Sequence, residues 1–191
     1  MTLDRRKAMA TLVADRGDDL LVVPGLGSTC YDLGAAGDDD RNFYLWGAMG
    51  GAAMIGLGLA LAQPDKRVAV ITGDGEMLMG MGALATVGVQ QPQNLAIVVF
   101  DNQAYGETGG QASHTHNGAD LVGIARACGI ATCFEVTDEA GLADLAGRLK
   151  ALKGPLFARV LIDPAEQPRF LPLRDGVALK QRFRAALGVN V

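Results

Sequence analysis

A chain of 191 residues carries 17 basic and 21 acidic side chains, a formal charge of −4, with no block of five or more like charges. That pattern excludes both a nucleic-acid footprint and a polybasic membrane patch. The length suits a single domain over residues 1–191 with a substantial core, and is marginal for two domains.

Cys30, Cys128 and Cys133 form no C-x-x-C pair, so they suggest neither a disulfide framework nor a zinc or iron–sulfur motif and read as buried thiols in a reducing compartment. The opening MTLDRRKAMATLVADRGDD has early positive charge but no apolar stretch with a cleavage site, which predicts a cytoplasmic protein. The 26 glycines are about twice the usual share of roughly 7%. Much of this backbone must turn sharply or approach something closely.

In chain order, residues 5–15 read as a helix and LLVV (20–23) as a buried strand. STCYDLG (28–34) follows that strand on its carboxyl side, the edge where a ligand is expected to bind. The most apolar stretch, Gly47 to Ala62, is shorter than the roughly 20 residues of a spanning helix and reads as a buried helix. RVAVIT (67–72) and NLAIVVF (94–100) are the next strands, with a helix over 76–90 between them. Helices over 117–128 and 138–151 alternate with strands CFEV (133–136) and PLFARVLI (155–162). The core spans residues 20–165, and 166–191 reads as a C-terminal extension. This alternation predicts an α/β fold, a parallel sheet with helices on both faces, whose ligands bind beyond the carboxyl ends of the strands.

Two loops lie at such ends, GDGE (73–76) and DNQAYGETGG (101–110). Neighbouring parallel strands joined by one crossover helix bring them together. Gly73 and Gly75 let the backbone come close to a bulky anion, and amides of the next helix can donate to phosphate. Asp74 can hold a divalent cation bridging that phosphate, with Asn102, backbone carbonyls and water completing the oxygen-rich shell of magnesium. A G-D-G triplet by itself is more often a turn; the following strand ending in DN gives it weight.

GDGEMLMGMGALATVGVQQPQNLAIVVFDNQ resembles the thiamine diphosphate signature, in which G-D-G is followed at a set spacing by one or two asparagines; here 25 residues separate Gly75 from Asp101. The wider stretch from FYLWGAMGGAAMIGLGLALA through DNQAYGETGGQ is similar to the diphosphate-binding domain of the phosphonopyruvate and sulfopyruvate decarboxylases. The resemblance implies that Asp74, the Asn102 side chain and the Ala104 carbonyl coordinate Mg2+, clamping thiamine diphosphate. It places Gly47 where a backbone carbonyl meets the aminopyrimidine, and Met49 where a bulky apolar side chain bends the cofactor. Asp101 departs from the first asparagine and receives no role.

Enzymes of this class activate the pyrimidine with a glutamate on a second domain, for which 191 residues leave no room. Glu76 and Glu107 lie beside the diphosphate and metal loops and are not assigned that task, although Glu76 belongs with the cofactor-binding residues. The resemblance therefore implies a pyrimidine-domain (alpha) subunit as partner, in an α2β2 or higher assembly acting on a small 2-oxo acid. The glycine-rich Gly47–Gly58 stretch is the candidate partner face, against the reading of a wholly internal helix.

His114 and His116 are more often loop polar groups than metal ligands. His114 follows a glycine-rich segment able to close over the site, which favours substrate contact or proton transfer; His116 has no assigned role. Tyr105 faces the diphosphate or merely packs. Met77, Met79 and Met81 read as core fillers, and Arg41 as a solvated arginine. The function expected is a two-chain decarboxylase releasing CO2 from phosphonopyruvate or sulfopyruvate. The alternatives are a subunit of a 2-oxoacid oxidoreductase, half of an acetolactate synthase or split transketolase, and a non-catalytic nucleotide-binding module. Missing cysteine clusters weigh against an iron–sulfur partner, and a G-x-G-x-x-G fingerprint is missing after the first strand.

Overall fold

A computed structural model describes residues 2–189. Its first helix, α1 (Arg5–Val13), starts where the Asp4 carboxylate accepts the Arg6 and Lys7 amides, a side-chain cap for donors that lack helical partners. Strand β1 (Leu20–Pro24) leads to α2 (Ser28–Ala35), α3 (Ala52–Ala62) and β2 (Arg67–Gly73). The short α4 (Asp74–Met79) and α5 (Ala83–Gln90) precede β3 (Leu95–Asp101). A small hairpin of β4 (Ala104–Tyr105) and β5 (Gln111–Ala112) follows, then α6 (Leu121–Ala127), β6 (Thr132–Val136), α7 (Glu139–Lys150), β7 (Leu156–Leu161) and α8 (Gly176–Ala186).

The main sheet is five-stranded and parallel throughout, in the order β1-β2-β3-β7-β6. Successive side chains on a strand point to opposite faces, and both faces here are apolar. Leu20, Val22, Ala69, Ile71, Ala96 and Val98 pack on one side with Met9, Leu12 and Leu142 of α1 and α7. Leu21, Val23, Val68, Val70, Ile97 and Val99 pack on the other with Leu57, Leu84 and Leu121 of α3, α5 and α6. The α/β architecture with helices on both faces is as the alternation predicts. Leu179 and Phe183 of α8 are also buried, with the Phe183 ring 5.2 Å from that of Phe43, so residues flanking 20–165 pack on the sheet too.

Several expectations change. Residues 28–35, to which the sequence pattern assigns no element, form a helix. Residues 47–51 form a loop, and the helix begins at Ala52. The helix expected over 76–90 is two helices, and the backbone explains the break. A Cβ on Gly80 would collide with the Gly50 carbonyl oxygen, so the 47–51 loop rests directly on the end of α4. Met77 is buried, but Met79 and Met81 are exposed, the corollary of that break. Of the cysteines only Cys30 is fully buried; burial pushes its thiol pKa up to about 12, which keeps it unreactive at neutral pH. No helix among the described residues is long and apolar enough to cross a membrane.

Candidate functional site

β2 and β3 are paired in parallel up to Gly73 opposite Phe100, so the residues that follow each strand emerge side by side. Between them opens a cleft lined by Asp74, Asn102 and Ala104, with Met49, Gly73, Gly75, Glu76 and Tyr105 around it. Thus most of the expected site residues converge. Gly47 is exposed in the same loop as Met49 and does not line this cleft. Met49 itself is 43% exposed, an apolar side chain standing at the mouth.

Two successive side-chain turns shape the loop after β3. Asp101 Oδ1 accepts the Gln103 amide at 2.8 Å, and Asn102 Oδ1 accepts the Ala104 amide at 3.0 Å; aspartate and asparagine make such turns because their short side chains mimic a backbone carbonyl. Gln103 takes the left-handed conformation, φ 59°, and the chain reverses into the β4–β5 hairpin.

Asp74 is 2% exposed. Burial, with the neighbouring Asp101 charge adding to it, pushes its carboxyl pKa up to about 6, against the opposing hydrogen bonds of Ser113 and Thr115. Among the described residues no group of three His, Cys, Asp or Glu side chains gathers as for a metal. The cleft offers one carboxylate, one amide oxygen and one carbonyl. That set suits a hard cation taking its remaining oxygens from a phosphate or water. Gly73 supports this: a Cβ there meets no protein atom within 4 Å, so its place is open cleft. Gly75 is held for another reason, because a Cβ would lie 2.9 Å from the Tyr105 ring.

Glu76 lines the cleft, but its carboxylate is engaged by the protein. It accepts the Leu26 amide at 2.8 Å, the Thr72 hydroxyl at 3.0 Å and, more loosely, the Ala52 amide at 3.4 Å. Glu107 is exposed on the opposite wall, against Gly27. Tyr105 Oη stands 2.5 Å from His114 Nδ1, which places His114 at the rim through its partner. His116 is exposed. Arg41 lies elsewhere, bound to Asp39 and to the Gly17 carbonyl ahead of β1.

Four contributors were missed in the sequence: Ser113, Thr115, Asp101 as a structural centre, and Arg159. In SHTH (113–116) the histidines face out while Ser113 and Thr115 are buried. These residues enter a turn in which the Asn117 amide donates to the His114 carbonyl and the Gly118 amide to that of Thr115, so no strand-like alternation in the sequence announced their burial.

Residues 35–160 match the model of the thiamine pyrophosphate enzyme C-terminal TPP binding domain. The chain is 37% identical over 187 residues to the sulfopyruvate decarboxylase of Methanosarcina acetivorans, covering 97% of this chain and 48% of that protein. It is 37% identical over 186 residues to the phosphonopyruvate decarboxylase of Streptomyces viridochromogenes, 95% of this chain and 45% of that one. It thus spans about half the length of these two relatives. With the sulfopyruvate decarboxylase subunit beta of Methanothermobacter thermautotrophicus it shares 39% identity over 164 residues, 86% of this chain and 84% of the relative. Among solved structures, benzoylformate decarboxylase from Polynucleobacter necessarius superposes with a TM-score of 0.73 at 20% identity, over 88% of this chain and 34% of that chain, a likeness of fold.

Proposed function

The chain belongs to the thiamine pyrophosphate enzymes, as a copy of their C-terminal cofactor-binding domain, and we propose that it is the diphosphate-binding subunit of a two-chain decarboxylase. The substrate is a small 2-oxo acid with an anionic tail, sulfopyruvate or phosphonopyruvate. The observation that carries this is the convergence of Asp74, Asn102 and Ala104 on one cleft between adjacent parallel strands, in a chain that aligns with most of a relative named subunit beta.

In this reading the Asp74 carboxylate, the Asn102 amide oxygen and the Ala104 carbonyl hold Mg2+ against the diphosphate of thiamine diphosphate. The bound cofactor supplies the nucleophilic carbon and the electron sink that decarboxylation requires. Met49 presents bulk at the mouth of the cleft and orients the cofactor there. Gly73 leaves the cleft floor open, and Tyr105 packs on Gly75 to form a wall. When Tyr105 donates to His114 Nδ1, a neutral imidazole carries its proton on Nε2, available to a substrate oxygen at the rim.

The activating glutamate comes from a partner alpha subunit in an α2β2 assembly. Supporting this, α3 buries Ala53, Leu57 and Ala60 while Met54 and Leu61 are exposed, as are Met49, Met79 and Met81. Gathered on one face, such side chains would mark an interaction site. The oxidoreductase, acetolactate synthase, transketolase and nucleotide-module alternatives are not favoured, since relatives matching almost the whole chain are decarboxylases. A cytoplasmic location accords with this reading.

The test is CO2 release from sulfopyruvate and phosphonopyruvate with thiamine diphosphate and Mg2+. The chain alone is expected to be inactive, mixing with the alpha subunit to restore turnover, and a Glu→Gln change at the partner's activating position to remove most of it. Robust decarboxylation by the isolated chain would refute the split site.

A further inference from the structure

Asp101 has no exposed surface, and its two oxygens are committed in different directions. Oδ2 accepts Arg159 Nε at 2.6 Å, and Arg159 also binds Glu135, its register neighbour on β6, at 2.7 Å. Oδ1 accepts the Gln103 amide and the Thr115 hydroxyl, each at 2.8 Å. Thr115 Oγ1 also lies 3.3 Å from Asp74 Oδ2 and 2.8 Å from Ser113 Oγ.

A threonine hydroxyl has one proton to donate. The Thr115 hydroxyl's 2.8 Å contact with Asp101 is the shorter and its 3.3 Å contact with Asp74 the weaker of the two. Two buried carboxylates therefore flank one hydroxyl with unlike compensation. The charge of Asp101 is met by Arg159, whereas among the described residues Asp74 stands in no salt bridge and meets the Thr115 hydroxyl only at 3.3 Å.

Resting on the cofactor reading above, we propose that Asp101, Thr115 and Arg159 are positioning residues for the cation. Asp101 folds the 101–104 loop so that Asn102 and Ala104 face Asp74. Arg159 anchors Asp101, because a buried carboxylate without its cation would not stay in place. Thr115, in contact with both carboxylates, fixes the separation between the end of β3 and the start of α4. Outer groups that orient metal ligands in this way change metal affinity by about 10–100-fold when removed.

The test uses the full chain with thiamine diphosphate and Mn2+, a cation suited to the same oxygen donors, and follows free Mn2+ by electron paramagnetic resonance. Thr115→Val is expected to weaken Mn2+ binding about tenfold, and Asp101→Ala by up to about 100-fold. Thr115→Ser, which keeps the hydroxyl, is expected to restore affinity close to that of the unaltered chain. Circular dichroism and thermal unfolding accompany each titration; Thr115→Val is nearly isosteric and keeps the test open should Asp101→Ala fail to fold. A purely structural role lowers the unfolding midpoint and leaves the Mn2+ affinity of the folded chain unchanged. Folded Thr115→Val binding Mn2+ as tightly as the unaltered chain, or Thr115→Ser as weak as Thr115→Val, overturns the proposal. An unaltered chain that holds Mn2+ no better than Asp74→Asn removes the cofactor reading itself.

Discussion

Glu76 accepts the Leu26 amide at 2.8 Å, joining the helix that carries Asp74 to the turn after β1. Gly25 makes this approach feasible, because a Cβ there would collide with the Glu76 carboxylate. Replacing Glu76 by alanine leaves the Leu26 amide and the Thr72 hydroxyl without their acceptor, at a cost of about 1–3 kcal/mol. Urea unfolding of Glu76→Ala should show that loss, and Glu76→Gln a smaller one. An unchanged midpoint for Glu76→Ala would mean that the clasp contributes nothing.

Asp74 separates cofactor binding from folding. Its folded pKa, about 6, lies above the ordinary carboxylate value, so the folded state holds this proton more tightly than the unfolded chain does. The resulting stability is complete below the unfolded pKa and is lost as pH rises through about 6. Asp74→Asn should therefore leave the metal-free chain at least as stable at pH 7.5 as the unaltered one. The same substitution should abolish the added thermal stability given by Mg2+ and thiamine diphosphate. Loss of metal-free stability at pH 7.5 in Asp74→Asn would contradict this account.

The same proton competes with the cation. Metal uptake by the chain with thiamine diphosphate should weaken as pH falls through about 6 and should release protons near that pH. Calorimetry in buffers of different ionisation enthalpy measures the release directly. Affinity independent of pH between 5 and 7.5 would exclude Asp74 as the ligand.

Met49→Ala should lower turnover of the assembled enzyme more than it lowers cofactor affinity. In the proposed reading the side chain orients a bound group at the cleft mouth, and misorientation costs reaction rate before it costs anchoring. Steady-state kinetics at saturating cofactor, beside a binding isotherm, distinguish the two; weaker binding with normal turnover would be the contrary result.

Met54→Asp, on the exposed side of α3, should leave the unfolding free energy within about 0.5 kcal/mol of the unaltered chain and abolish association with the alpha subunit in light scattering. Normal assembly would place the interface elsewhere.

That Asp74 and Asn102 meet in one cleft was legible from sequence because strand, glycine and carboxylate fall consecutively and crossover rules make the two strands neighbours. Arg159 was not, since its contact with Asp101 spans 58 positions and requires β7 to insert between β3 and β6, an order that no local pattern encodes. The break after Met79 was hidden because an isolated glycine is tolerated in a helical pattern; only the approach of the Gly50 backbone shows why Gly80 is there. For α2, Gly27 stands at the start without a side-chain cap bond, so the usual signature of a helix beginning is missing.

The contact of Gly50 with Gly80 has a thermodynamic corollary. It welds the loop bearing Met49 to the helix bearing Asp74, so the exposed Met49 and the proposed cation ligand ride on one rigid body. An alpha subunit that seats on Met49 and thereby stiffens this body lowers the ordering entropy left for cofactor capture. By linkage, cofactor capture must then strengthen subunit association by the same factor.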